Sequence, residues 1–187
     1  NGFDPRTGND PYLGLIYTSF QERATKISHG NTARLANQCG DETLGKICAM
    51  VTGDESRHEE AYKRFVGKIV EEDPAEAVLA FARMMKTTVA MPALLMEDGE
   101  TPDLYDRFAA VAQRIGVYTV RDYAEIIEHL VGCWGIAGLS GLTGEAAQAQ
   151  DYLGGLAPRY RRLADRGDRP PSERAAPSFR WLFHRSA

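Results

Sequence analysis

The chain has 187 residues, of which 43% are hydrophobic and 26% charged, with a formal net charge of −4. That balance excludes wholesale disorder and leaves enough apolar mass for a core without disulfides or a structural metal. No apolar run reaches the ~20 residues of a membrane-spanning helix, and no nucleic-acid partner is expected of so acidic a chain. Cys39, Cys48 and Cys133 have no paired spacing and read as reduced thiols. The N-terminal stretch Asn1-Gly2-Phe3-Asp4-Pro5 shows no targeting segment.

The helical signals then follow one another along the chain. Asp10-Pro11 is a cap followed by a first-turn proline and opens a helix over residues 11–38. Asp41 caps a second helix running to Glu72, and Asp73-Pro74 opens a third that reaches about Thr88. Pro92 interrupts the pattern, and residues 97–102 form a loop. A fourth helix spans residues 103–115 and ends at Gly116. Thr119 with Asp122 resembles a capping box for a fifth helix that ends near Cys133. Thr143 and Pro158 each open a shorter helix. Residues 1–166 thus form the helical body. Residues 167–187 form a proline- and arginine-rich loop and tail, in which Phe179–Phe183 reads as an apolar anchor. From Arg159 onward eight arginines face three acids, so the tail is basic and the body acidic. Long amphipathic helices without strands or repeats imply an all-α bundle.

Polar residues interrupt the apolar stripes of the first two helices. In the second helix the stripe is Leu44, Ile47, Val51, Tyr62, Phe65 and Ile69, which is expected to face the core, and Glu55 and His58 fill its gap in phase. A carboxylate on a buried face is costly unless it is paired or binds metal. The alternative is a rotated helix with Glu55 lining a solvated groove. Glu22 is a second acid at interior phase on the first helix, and an antiparallel hairpin would bring it level with Glu55. One Glu plus a Glu-x-x-His pair is half the ligand set of the ferritin-like, ribonucleotide-reductase-like di-metal bundle. Carboxylate oxygens with one imidazole per metal suit iron or manganese. No second Glu-x-x-His exists in the chain, so the bundle reads as incomplete. Asp54 is a candidate partner for a metal-bound imidazole on another helix. His29 reads as a core or groove histidine and His129 as exposed. Arg57 and Glu59 are expected to pair locally or meet solvent.

Several segments closely resemble the plant acyl-carrier-protein desaturases. They are Asp-Pro-Arg-Thr at 4–7, the run from Pro11 to Thr25, Ser-His-Gly-Asn-Thr-Ala-Arg at 28–34, and Asp-Glu-Ser-Arg-His-Glu at 54–59. Leu-Ala-Phe-Ala at 79–82, residues 110–119, Asp-Tyr-Ala-Glu-Ile-Ile-Glu at 122–128 and Ala-Gln-Asp-Tyr at 149–152 continue the match. The resemblance implies a soluble ferritin-like homodimer in the plastid stroma that desaturates an acyl chain held on acyl carrier protein. It also implies two irons, dioxygen and electrons from ferredoxin. Residue by residue, Glu22, Glu55 and His58 would be iron ligands, and Thr25 the hydroxyl beside the dioxygen pocket. Pro5, Thr7, Gly14 and Leu15 match positions along the acyl tunnel, with Leu15 standing where many members carry Phe. The family's first half-site has no counterpart in the sequence, which resembles the C-terminal half of such an enzyme. The chain alone is therefore expected to be inactive. Two competing expectations are a non-catalytic protein that binds acyl carrier protein or a desaturase subunit, and a di-metal site rebuilt across a homodimer.

Overall fold

A computed structural model describes Pro5, residues 7–87, Val89 and residues 91–167. The expected tail anchor at Phe179–Phe183, the polar loop from Asp168 onward and the expected helix end at Thr88 lie outside the described residues. Within them six α-helices follow in order: α1 (Pro11–Gln38), α2 (Glu42–Glu72), α3 (Pro74–Lys86), α4 (Leu104–Arg114), α5 (Val120–Cys133) and α6 (Gly144–Gly167). The fold is all-α, as expected, and is consistent with a ferritin-like bundle.

The helix starts are those expected from the capping residues. The Asp10 carboxylate accepts from the backbone N–H of Tyr12 and Leu13 at 2.8 and 3.2 Å. Asp41 accepts from Leu44 N–H, and Asp73 from Glu76 N–H ahead of Pro74. Thr119 and Asp122 form the full reciprocal capping box of α5. At the other end of the chain the expectation fails, because α6 runs through Pro158 as one helix. An interior proline loses a hydrogen bond and crowds the preceding turn. Here burial of Leu153, Leu156, Ala157 and Ala164 on both sides of Pro158 holds the helix continuous.

α1 and α2 form a long antiparallel hairpin. Tyr12 Oη donates to Asp73 at 3.3 Å at one end, and Thr52 lies against Gly30 towards the other. α3, α5 and α6 pack on one side of it around Ile16, Phe20, Val66, Val78, Phe81, Ile126, Ile127, Leu130 and Leu153. Trp134 closes this core, edge-on to Phe81 at 5.1 Å, with its indole N–H donated to the Lys63 carbonyl.

The side of α2 that meets this core corrects the expected stripe. The buried row is Gly45, Cys48, Glu59, Val66 and Val70. Leu44, Ile47 and Phe65 are 41%, 53% and 54% exposed. Small residues decide this: α1 can approach closely over Gly45, Cys48 and Thr52, and that approach turns the bulkier row outward. All three cysteines are free thiols, with Cys48 buried and the other two exposed.

Candidate metal centre

The α1–α2 hairpin brings together three residues that are far apart in sequence. One ligand atom each from Glu22, Glu55 and His58 lies within 4.8 Å of the other two, the only such group of three among the described residues. His58 Nδ1 lies 3.0 Å from Glu55 Oε2 and 3.2 Å from Glu22 Oε2. Glu55 and His58 share a face because they are three residues apart on α2, and the hairpin register sets Glu22 opposite them. Both carboxylates are largely buried, while the imidazole is half exposed at the rim.

The electrostatics of the trio follow from that crowding. Burial pushes the Glu22 carboxyl above its ordinary range, and the hydrogen bond and charge of Glu55 push it the same way. Burial also acts upward on Glu55, but hydrogen bonds with Glu22, His58 and Thr25 outweigh it and hold Glu55 low. The hydrogen bond to Glu55, followed by the Glu22 charge, raises His58. The crowding of two carboxylates thus favours the protonated form of Glu22 and the ionised form of Glu55. A divalent cation held by Glu22, Glu55 and His58 would offset the repulsion between the two carboxylates. The oxygen-rich set with a single imidazole fits iron or manganese.

The other residues singled out in the sequence fall in different places. Thr25 sits one turn from Glu22, its hydroxyl donating to the Gln21 and Glu22 carbonyls at 2.9 and 3.0 Å and bonding with Glu55. Asp54 does not approach an imidazole; it is exposed and pairs with Arg57 on its own helix, as expected of Arg57. Pro5 and Thr7 are half-buried in the segment before α1, where the Thr7 carbonyl accepts from Asp10 N–H. Gly14 opens onto free space, and Leu15 packs at the margin of the core.

A cavity of about 460 Å³ opens beside Thr25, and none of Pro5, Thr7, Gly14 or Leu15 lines it. Its walls include Met91, Phe108, Tyr118, Tyr123 and Tyr160. Burial raises the Tyr118 and Tyr123 phenols, so both stay neutral and the aromatic wall carries no charge. His29 lines the same cavity, as a groove histidine would. The signal in the sequence for this cavity is the aromatic series Tyr105, Phe108, Tyr118 and Tyr123, which spacing within single helices does not bring together.

Two further expectations are corrected. Glu59 is 4% exposed and does not meet solvent. It binds Arg23 at 2.6 Å, Lys26 at 2.8 Å and His129 at 3.1 Å. His129 is accordingly half-buried, and burial followed by the Arg23 charge lowers its pKa. A carboxylate meeting two cations and an imidazole from two other helices cannot be read from the spacing within one helix.

Comparison with known proteins gives this geometry a family. The model described as "Fatty acid desaturase" matches residues 1–183. The chain is 56% identical over 185 residues to a chloroplastic stearoyl-[acyl-carrier-protein] 9-desaturase of Helianthus annuus, covering 99% of this chain and 47% of that protein. The chloroplastic enzyme of the same name from Spinacia oleracea is 53% identical, with 99% of this chain and 46% of that protein covered. A chloroplastic acyl-[acyl-carrier-protein] desaturase 3 of Oryza sativa subsp. japonica is 56% identical over 190 residues, covering 99% of this chain and 47% of that protein. The chain spans about half the length of the curated relatives it matches. With a family match over nearly every residue and a Glu/Glu/His cluster on a helical hairpin, the chain belongs to the fatty acid desaturase family.

Proposed function

We propose that this chain carries one half-site of a di-iron acyl-[acyl-carrier-protein] desaturase, which places a double bond in a saturated acyl chain held on acyl carrier protein. The observation that carries this reading is the convergence of Glu22, Glu55 and His58 at one level of the α1–α2 hairpin. Bound iron supplies the activation of dioxygen that removal of hydrogen from an unactivated methylene demands. The acyl chain gives up two hydrogens. Reduced ferredoxin supplies two electrons and water two protons, which balances reduction of dioxygen to two waters. The chloroplastic names of the relatives support a plastid location for the reaction.

Each residue has a part within this chain. Glu22, Glu55 and His58 would hold the iron, and His58 turns its Nδ1 toward the two carboxylates. The Thr25 hydroxyl bonds with Glu55 at the mouth of the cavity, where it can pass a proton between the carboxylates and the bound substrate. The apolar cavity holds part of the acyl chain and excludes water from the methylene groups beside Thr25. With three of the six ligands, an isolated chain turns over no substrate.

Anaerobic titration of the 187-residue chain with Co(II) or Fe(II) tests the half-site. Glu55→Ala and His58→Ala should each abolish metal binding while the helical circular dichroism stays unchanged. Undiminished metal affinity in either variant would overturn the ligand assignment.

A further inference from the structure

Axial register between α1 and α2 decides whether Glu22 meets Glu55 and His58. A slip of one residue moves a helix by about 1.5 Å along its axis, while a metal site tolerates only about 0.2 Å in its ligand distances. Packing alone resists such a slip weakly here, because Gly45, Cys48 and Thr52 line α2 where it meets α1, and Thr52 lies over Gly30. Small side chains make shallow ridges and grooves. Directional contacts therefore have to hold the register.

Glu59 supplies them from the buried side of α2, one residue beyond His58 and one turn beyond Glu55. Its Oε1 accepts from Arg23 Nη1 at 2.6 Å and lies 3.1 Å from His129 Nε2, and its Oε2 accepts from Lys26 Nζ at 2.8 Å. Arg23 follows Glu22 directly and Lys26 lies one turn beyond it, so both donors ride on the stretch of α1 that carries the ligand. Arg23 Nη2 also reaches Glu125 at 3.1 Å. Thus α5, which contributes nothing to the Glu22, Glu55 and His58 group, grips both members of the joint. The Arg23 and Glu59 side chains are only 13% and 5% exposed, so the joint is interior and does not depend on what covers the other face of the hairpin.

Cohesion alone does not require this chemistry. An apolar pair of similar volume often holds helices together as well as a buried ion pair does, but it lacks direction. We propose that Glu59, clamped by Arg23, Lys26 and His129, is a positioning residue for the half-site. It acts through Glu22, Glu55 and His58 by fixing the register in which they meet, with α5 as the outside reference. The inference rests on the half-site reading above.

The double variant Arg23→Met/Glu59→Leu tests it, because it replaces the pair by apolar side chains of similar size and leaves all three ligands in place. Three measurements are made on the same samples: urea unfolding, nuclear Overhauser contacts between the His58 ring and the Glu22 methylenes in metal-free protein, and anaerobic Co(II) titration. The variant should keep its helical content and urea midpoint and lose the His58–Glu22 contacts. It should bind Co(II) about ten- to a hundredfold more weakly, the loss typical when groups behind metal ligands are removed. Arg23→Lys keeps a cation on Glu59 and should retain most of both signals. If the double variant loses helix, Glu59→Gln, which preserves the shape of the side chain and removes its charge, should show the same two changes at intact helical content. Intact His58–Glu22 contacts with parental Co(II) affinity overturn the positioning role and leave the half-site reading standing. Weaker Co(II) binding matched by an equal loss of stability, with the contacts unchanged, also overturns it and assigns Glu59 to stability alone. A parent protein that shows the contacts and takes up no Co(II) overturns the half-site reading, and this inference with it.

Discussion

Arg23 Nη1 on α1 lies 2.6 Å from Glu59 Oε1 on α2, and each residue is the immediate neighbour of a candidate ligand, Glu22 on one helix and His58 on the other. The buried ion pair therefore fixes the register in which the hairpin presents its three ligands. Lys26 and His129 complete the coordination of Glu59, so the tie extends to α5.

Truncating Arg23 leaves the Glu59 carboxylate buried with less compensation, and breaking a buried pair costs about 3–5 kcal/mol. Arg23→Ala should lower the urea midpoint by a corresponding amount at unchanged m-value. Arg57→Ala, which breaks an exposed pair with Asp54, should cost about 0.5 kcal/mol or less.

His129 gives the fold a predictable acid limb. Its folded-state pKa is depressed, so as pH falls the unfolded chain takes up the proton first. Stability is therefore full above the ordinary histidine value, about 6.5, and declines as pH falls below it. His129→Gln can donate to Glu59 without titrating, and urea unfolding between pH 7.5 and 5.5 should show a shallower decline in that variant.

Pro158 is tolerated by packing and not by local preference, and its side chain is exposed. Pro158→Ala restores a helical N–H at an exposed position and should stabilise the chain by about 1–3 kcal/mol, read as a rise in the thermal midpoint.

Ala109 lines the cavity without belonging to the buried core. Ala109→Trp fills space that an acyl chain would occupy. Excluding about two methylenes, at ~0.8 kcal/mol each, corresponds to a loss of roughly tenfold in affinity. Titration with a fluorescent long-chain acyl probe measures this, and an unchanged affinity would place the acyl chain elsewhere.

Local chemistry alone determined the helical class, the starts of α1, α2, α3 and α5, and the phase that puts Glu55 and His58 on one side of α2. Each of those features depends on residues within about one turn of each other, where capping bonds and the 3.6-residue period act. Three others required the tertiary structure. Hydrophobicity favoured the Leu44–Ile47–Phe65 row as the buried face, but α1 settles on the smaller Gly45–Cys48–Thr52 row because close approach outweighs residue hydrophobicity there. Pro158 reads as a helix start until the burial of Leu153, Leu156 and Ala157 is known. Glu59 reads as a solvated acid until Arg23, Lys26 and His129 arrive from α1 and α5. The cavity beside Thr25 likewise exists only where α1, α4, α5 and α6 converge. The length of 187 residues admits a self-contained domain, yet among the described residues Leu44, Ile47 and Phe65 on the hairpin stay exposed. Local sequence could single out Glu22, Glu55 and His58; only the packing of α1 on α2 brings them together.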